Sequence, residues 1–284
     1  MKKTIGVLTV LIIVLSLTAT ITGIFYKTGG ESFDFTTLRG ETISVYGSGL
    51  YRYDSRSAVS QAVAQDIVTL AVGIPLLVMA LFLFHKNRLR GKLLLTGTLG
   101  YFLYTYISYS VMAAYNSLFL VYTALYSLSL FAFILSIRII DVNVLLKKIT
   151  IKFPRKTISF FLFLLGFMLL LLWLRRIVPS LINNTVPVGL ESYSTLVIQA
   201  MDLGLIVPVA ILSAILLLKK KSWGYLLASV ILVKGLAMLI AVSAMVVGMV
   251  LSDVPITIME LILFPAFAFI GIIMTVLLFR NISD

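Results

Sequence analysis

The sequence predicts an all-α fold, a polytopic integral membrane bundle of eight transmembrane helices in two four-helix halves with a small β-like extracytoplasmic loop. Three observations lead to this prediction. The chain is 61% hydrophobic and 12% charged, whereas soluble domains are roughly 45–50% apolar and about 25% charged. Apolar runs near the ~20 residues that cross a bilayer recur along the whole chain. One pattern of proline, glycine and basic residues occurs twice, once in each half.

The first element is an apolar run from about residue 4 to residue 25, preceded by two lysines. This run is longer than the usual core of a signal peptide, which has about 7–15 residues. We therefore predict that residues 1–26 contain an uncleaved first transmembrane helix. The alternative is a signal peptide cleaved near Ala19, which would leave seven spans.

Residues 27–61 are the only long polar segment. They contain the short alternating runs ETISVYG and LYRYDS, interrupted by glycines. Such runs predict a hairpin or three-stranded cap. An isolated hairpin is marginally stable in water, so we expect Tyr46, Tyr51 and Tyr53 to rest on the helices or on the lipid surface.

The other seven predicted helices lie on either side of a basic cytoplasmic linker at residues 139–157. Helices 2–4 occupy residues 62–138, and helices 5–8 occupy residues 158–284. The apolar runs themselves lie at about 62–85, 92–114, 117–137, 157–178, 195–218, 223–250 and 256–279.

The basic residues predict the orientation. Most of the 23 lysines and arginines lie at the N-terminus, in the linker and in the turns at 86–92 and 219–222, and cytoplasmic segments carry such an excess. We expect a multi-pass protein of the cell membrane with both termini in the cytoplasm. The net charge of +12 is thereby explained as a topology signal, so the expected partner is the lipid bilayer and no nucleic-acid partner is expected.

Two stretches share one skeleton, in which a proline, an apolar run, a basic turn, a glycine and a second apolar run follow a polar residue. Pro75 and Gly91 have the same separation as Pro208 and Gly224. Because each half has four spans, this pattern predicts a parallel internal repeat. The alternative is that any proline-kinked hairpin with a basic turn shows part of the pattern. The aligned positions are Asp66 with Gln199, Thr69 with Asp202, and Tyr101 with Lys234.

Ionisable residues inside the spans are the strongest functional candidates, because a charge in the hydrocarbon costs roughly 2.5–3.5 kcal/mol on insertion scales. Lys234 lies near the midplane, about 16 Å from Trp223. Small residues follow it on one helical face, where another helix approaches closely, so Lys234 is expected to point into the bundle. We predict that it contacts Asp202. That pair is either a structural ion pair or a contact for a proton, an ion or a substrate.

The remaining candidates are polar or aromatic residues near these charges. Two matched polar patches, each preceding a proline, predict a pseudo-symmetric site that opens outward; ordinary kinks with polar caps are the alternative. Arg175 and Arg176 are candidates for contact with a lipid headgroup or an anion. The candidate ligand-binding residues are Asp66, Thr69, Tyr101, Tyr104, Gln199, Asp202, Lys234 and Glu260.

Several kinds of chemistry have no signature in the sequence. The chain has no cysteine and a single histidine, which excludes thiolate and multi-histidine metal sites. It also lacks P-loop, HExxH and GxSxG patterns. We therefore expect no catalytic residue, no cofactor and no metal, and not an enzyme. The favoured function is transport or outward-facing binding of a small solute, ion or lipid through a polar intramembrane site. The alternative is a sensory or assembly protein that uses the extracytoplasmic loop for recognition.

Overall fold

The computed structural model describes residues 1–284 and shows a bundle of nine helices with one short hairpin. The helices are α1 (Lys2–Phe25), α2 (Arg56–His85), α3 (Leu89–Val111), α4 (Phe119–Arg138), α5 (Val142–Lys147), α6 (Arg155–Asn183), α7 (Val197–Leu218), α8 (Ser222–Leu251) and α9 (Ile258–Arg280). The strands are β1 (Phe33–Thr36) and β2 (Thr42–Val45). The chain is thus an all-α, polytopic membrane protein, and the small hairpin predicted within residues 27–61 is confirmed as an antiparallel pair.

Seven helices are long and apolar enough to cross a membrane, so the predicted number of eight is one too high. The exception is α3, predicted as a span at about 92–114. It has 23 residues, but threonine, tyrosine and glycine replace much of its apolar surface. More than half of its residues are buried, against α2, α4 and α8. Protein rather than lipid therefore surrounds α3.

The core consists of two hydrophobic clusters that follow the two halves of the chain. One cluster comes from α1–α4, the loop residues Leu50 and Tyr51, and Ala237 and Ala241 of α8. The other comes from the linker and α6–α9 with Leu93 of α3. α3 and α8 pack directly against each other. Gly97 allows this, because a Cβ there would lie 2.5 Å from the Cβ of Val233.

Both termini lie at the same end of the bundle. The Arg90 Nε donates to the carbonyl of Ile282 at 2.7 Å, and the Lys148 Nζ donates to that of Asp284 at 2.7 Å. At the start of α1, Gly6 lies beside His85 at the end of α2. The basic segments therefore share one end of the bundle, as their charge predicts. The assignment of that end to the cytoplasm stays a prediction.

Asp54 ties together the loops of the opposite end. Its Oδ1 accepts from the backbone N–H of Ala114 at 2.9 Å and from the Tyr193 hydroxyl at 2.8 Å. The neighbouring Ser55 hydroxyl donates to Glu191. Burial raises the pKa of Asp54 to about 6, although both hydrogen bonds to its carboxyl act in the other direction. These contacts, which we call the Asp54 latch, join a loop of the first half to a loop of the second.

Candidate functional site

Two helices widen by one turn of π-helix at the points where the candidate residues lie. The wide turn of α2 spans Thr69–Gly73, and that of α7 spans Asp202–Ile206. Each is followed within two residues by a proline, which lacks an N–H and disturbs the preceding turn. Single π turns inside α-helices occur frequently at functional sites. Thr69 and Asp202, aligned in the sequence, are thus the first residues of matching turns.

The first polar centre is built around Asp66, of which only 3% is exposed. The hydroxyl of Tyr51 donates to Oδ2 at 2.6 Å, and that of Tyr109 donates to Oδ1 at 3.1 Å. No basic side chain pairs with this carboxyl, because the only ion pair of the structure joins Arg56 to Asp253. Asp66 is therefore a buried acid held by tyrosines alone.

A second layer of the same centre lies one turn away. The Gln65 Nε2 donates to the hydroxyl of Tyr101 at 2.7 Å, and the Thr69 hydroxyl lies 2.8 Å from it. Two buried oxygens have no hydrogen-bond partner, Gln65 Oε1 and the hydroxyl of Tyr106. Buried polar atoms are normally satisfied, so this centre keeps unused hydrogen-bonding capacity.

Close packing against α1 covers the first centre. A Cβ at Gly23 would overlap the Asp66 carboxylate and lie 2.7 Å from the Tyr51 hydroxyl. Only a glycine leaves room there for the bond between those two groups. The ring of Tyr122 lies against Tyr109, with centroids 5.1 Å apart.

The second polar centre contains Asp202 and Lys234, which are 7% and 6% exposed. The Tyr104 hydroxyl donates to Asp202 Oδ1 at 2.7 Å, and the Trp173 Nε1 donates to Oδ2 at 2.9 Å. The Lys234 Nζ lies 3.7 Å from the centroid of the Tyr104 ring. The predicted direct contact does not form, because no nitrogen of Lys234 lies within 4.0 Å of a carboxylate. Instead the aromatic face of Tyr104 attracts the ammonium, and Tyr104 separates the two charges.

Some of the other predicted site residues belong to the two centres, and others lie outside them. Gln199 is buried in α7 one turn before Asp202. Glu260 lies apart from both centres, because it accepts from the N–H of Thr257 in the capping box that begins α9. Arg175 is exposed, and the half-buried Arg176 lies beside the loop residue Gly189. Thr69 and Tyr101 belong to the first centre, and Tyr104 belongs to the second.

Sequence reasoning did not assign Gly23, Tyr51, Tyr109 or Trp173 to the centres. Tyr51 was expected to rest on the bundle, and it does enter the protein, whereas Tyr53 stays exposed. Trp173 has the sequence context of an interfacial tryptophan, yet its indole donates to Asp202. A buried acid without a basic partner requires donors, and the four tyrosines of α3, at positions 101, 104, 106 and 109, are the signal in the sequence that could have identified Tyr109.

No protein-family model, no curated protein and no solved structure matches this chain. Function is therefore inferred from the two centres and from the helices that carry them.

Proposed function

We propose that the protein transports a small solute or ion across the membrane through the polar site between its two halves. The observation that carries the proposal is the burial of Asp66, Asp202 and Lys234 without any ion pair among them. Ionisable residues at membrane depth are expensive and usually mark a substrate, ion or proton pathway. A purely structural role favours a directly bonded pair, which satisfies both charges.

We also infer that the two halves descend from one duplicated unit. Besides the matching π turns, α2 and α7 each end two residues before a residue with positive φ, which is Asn87 at 60° in the first hairpin and Lys220 at 55° in the second. A Cβ at Gly91 would meet the backbone of Leu83, and one at Gly224 would meet that of Leu216. These positions are all aligned in the sequence. Related halves that rock against each other are a common basis of alternating access.

The position of α3 couples the two centres. Tyr101 reaches the first centre and Tyr104 the second, and these residues are one turn apart on one helix. A shift of α3 along α2 and α7 changes hydrogen bonds in both centres at once. Binding at one centre would thus alter the other, as a carrier requires.

The test uses the purified protein in lipid nanodiscs and in proteoliposomes. Thermal melting in the presence of simple amines, carboxylates, amino acids and sugars identifies a ligand class, and uptake of the radiolabelled hit follows. We expect saturable uptake that Asp202→Asn and Lys234→Met each abolish. Glu260→Gln is the matched control, because it removes a carboxylate charge outside both centres, and it should retain uptake. Uptake that all three variants retain would remove the basis of the proposal.

The second candidate function is recognition by the extracytoplasmic hairpin. Every residue of β1 is exposed, including the large side chains of Phe33 and Phe35. Exposed apolar residues on an unpaired strand edge invite pairing with another chain. Replacing residues 33–45 by a glycine–serine linker should leave uptake unchanged if transport is the function. Normal folding with loss of a binding partner, and no uptake by the native chain, would favour recognition.

A further inference from the structure

We propose that Asp66 is a proton-binding site reached from the loop end of the bundle, and that Tyr51 is the plug that closes it. The biological role of this proton site rests on the proposed transport function, but proton binding at Asp66 can be measured independently of transport. The ligand of the first centre is then a proton, and the loop residue Tyr51 controls its access to Asp66.

Asp66 has no basic side chain as a countercharge. An ionised carboxylate in a low-dielectric site is costly unless a cation pairs with it. The groups around Asp66 are Tyr51 from the loop, Tyr109 from α3 and Tyr122 from α4, with Tyr101 and Tyr106 beyond them. α1 contributes Gly23, and the one charged residue of α8, Lys234, lies in the second centre. No neighbouring carboxylate or basic side chain thus shares the proton of Asp66.

The surroundings of the Asp66 carboxylate leave no room for a metal ion. Both carboxylate oxygens already accept tyrosine hydroxyls at 2.6 and 3.1 Å. A metal ion would have to separate these groups, because it needs several oxygen ligands of its own. A proton needs no additional volume. When it binds Oδ2, the new O–H donates to the Tyr51 oxygen, and the hydrogen of Tyr51 turns to the Tyr122 oxygen 3.5 Å away.

Tyr51 lies in a turn at the boundary between buried and exposed residues. Leu50 and Tyr51 are buried, whereas Arg52 and Tyr53 next to them are exposed. The turn is held against the segment that follows α1 by the Gly49 N–H, which donates to the Thr28 carbonyl at 2.7 Å. On its other side it continues into the Asp54 latch. Withdrawal of this turn therefore opens Asp66 to solvent at the loop end, and its return seals the site.

The experiment measures the carboxylic-acid carbonyl band by infrared difference spectroscopy of the full chain in nanodiscs. We expect a band at neutral pH that Asp66→Asn removes. Glu260→Gln, which removes a carboxyl group outside both centres, should leave the band in place. Tyr51→Phe should shift its frequency and its titration midpoint, because it removes the bond to Oδ2, whereas Tyr53→Phe should leave both unchanged. Absence of the Asp66-dependent band at every pH at which the protein stays folded would overturn the proposal.

A second measurement separates the proton from sodium. The melting temperature is compared in sodium chloride and in choline chloride for the native chain and Asp66→Asn. We expect no difference between the salts. Stabilisation by sodium that Asp66→Asn abolishes would identify a sodium site and overturn the proton assignment.

A third variant tests the plug independently of the carboxyl itself. Gly23→Ala inserts a methyl group where Asp66 and Tyr51 meet, so the band should move as it does in Tyr51→Phe. Gly6→Ala on the same helix meets only the side chain of His85 and should leave the band unchanged. A band that Gly23→Ala and Tyr51→Phe both leave unchanged would exclude Tyr51 as the plug.

The outcomes distinguish this proposal from the proposed function. An Asp66-dependent band in a protein that takes up no probe supports proton binding and contradicts transport. Uptake without the band supports transport and contradicts the proton site.

Discussion

The two polar centres occupy the same place in two similarly built helical hairpins, yet they contain different chemistry. In the first, Thr69 bonds directly to Tyr101 at 2.8 Å. The aligned residues of the second are Asp202 and Lys234, which carry opposite charges and do not touch. Tyr104 lies between them. The wide turn and its proline therefore set the backbone geometry, and different polar side chains can occupy the same positions on it.

The charges are therefore not what bends the helices. The first hairpin has the same π turn as the second, with a neutral threonine where the second has an acid. A role for Asp202 and Lys234 in shaping the backbone is thus unnecessary. The contacts with Tyr104 and Trp173 offset part of the cost of burying these two charges.

The largest expected effect is the loss of one member of the charged centre. Asp202→Asn leaves the Lys234 ammonium buried with no anion nearby. Lys234→Met leaves the Asp202 carboxylate buried with no cation nearby. A buried charge without an opposite charge nearby is costly, even though the two groups do not touch in the native chain. We expect each single variant to lower the melting temperature in nanodiscs strongly.

The double variant Asp202→Asn/Lys234→Met should recover most of that loss, because it removes both charges together. A loss in the double variant equal to the sum of the two single losses would show that Tyr104 insulates the two charges completely. Uptake then separates the two roles. A folded double variant that transports normally assigns the pair to packing, and one that folds but fails assigns it to the ligand.

The sequence predicts the membrane bundle, the hairpin and the helix positions because hydropathy and turn residues act locally. It also identifies Asp66, Asp202 and Lys234, because a charge inside an apolar run is visible without a structure. It does not predict which donors surround them. Tyr51 comes from a loop and Trp173 from α6, and only tertiary packing brings these residues to the acids. The count of spans was wrong because α3 is shielded by protein, so its polar residues need not match lipid.

The next effect concerns the contact between the halves. At Gly97 a Cβ would lie 2.5 Å from the Cβ of Val233, whereas at Gly100 it would lie 3.3 Å from the Phe133 ring and 3.7 Å from Lys234. Overpacking typically costs about 1–3 kcal/mol. Gly97→Ala should therefore destabilise the protein within that range and Gly100→Ala should destabilise it less, as measured by melting in nanodiscs. The reverse order would mean that α3 and α8 separate easily and do not join the halves.

A smaller effect is expected in the neutral centre. Thr69→Val removes the hydrogen bond to Tyr101 and a longer one, at 3.3 Å, from the Gln65 amide, but that amide still donates to the Tyr101 hydroxyl at 2.7 Å. A single neutral hydrogen bond contributes about 0.5–1.5 kcal/mol. The loss in stability should thus be well below that of Asp202→Asn at the aligned position. Similar losses in the two variants would show that the Thr69 position, not the charge, carries the stability of both hairpins.

The smallest expected effect is a pH dependence of the Asp54 latch, which joins the halves at the loop end. Burial is the main cause that raises the pKa of Asp54 to about 6, and burial also raises the pKa of Glu191. A carboxyl with a raised folded-state pKa stabilises the fold at acid pH and loses that contribution as the pH rises through the folded value. Hydrogen exchange of residues 50–55 and 190–194 should therefore accelerate as the pH rises from about 4, near the ordinary pKa of an aspartic acid, to about 6, after correction for the intrinsic rate. Asp54→Asn keeps an acceptor for Ala114 and Tyr193 but cannot ionise, so its corrected exchange should change less with pH. Exchange in that variant with the native pH dependence would assign the effect to Glu191, which has the Arg176 charge nearby and accepts from Ser55.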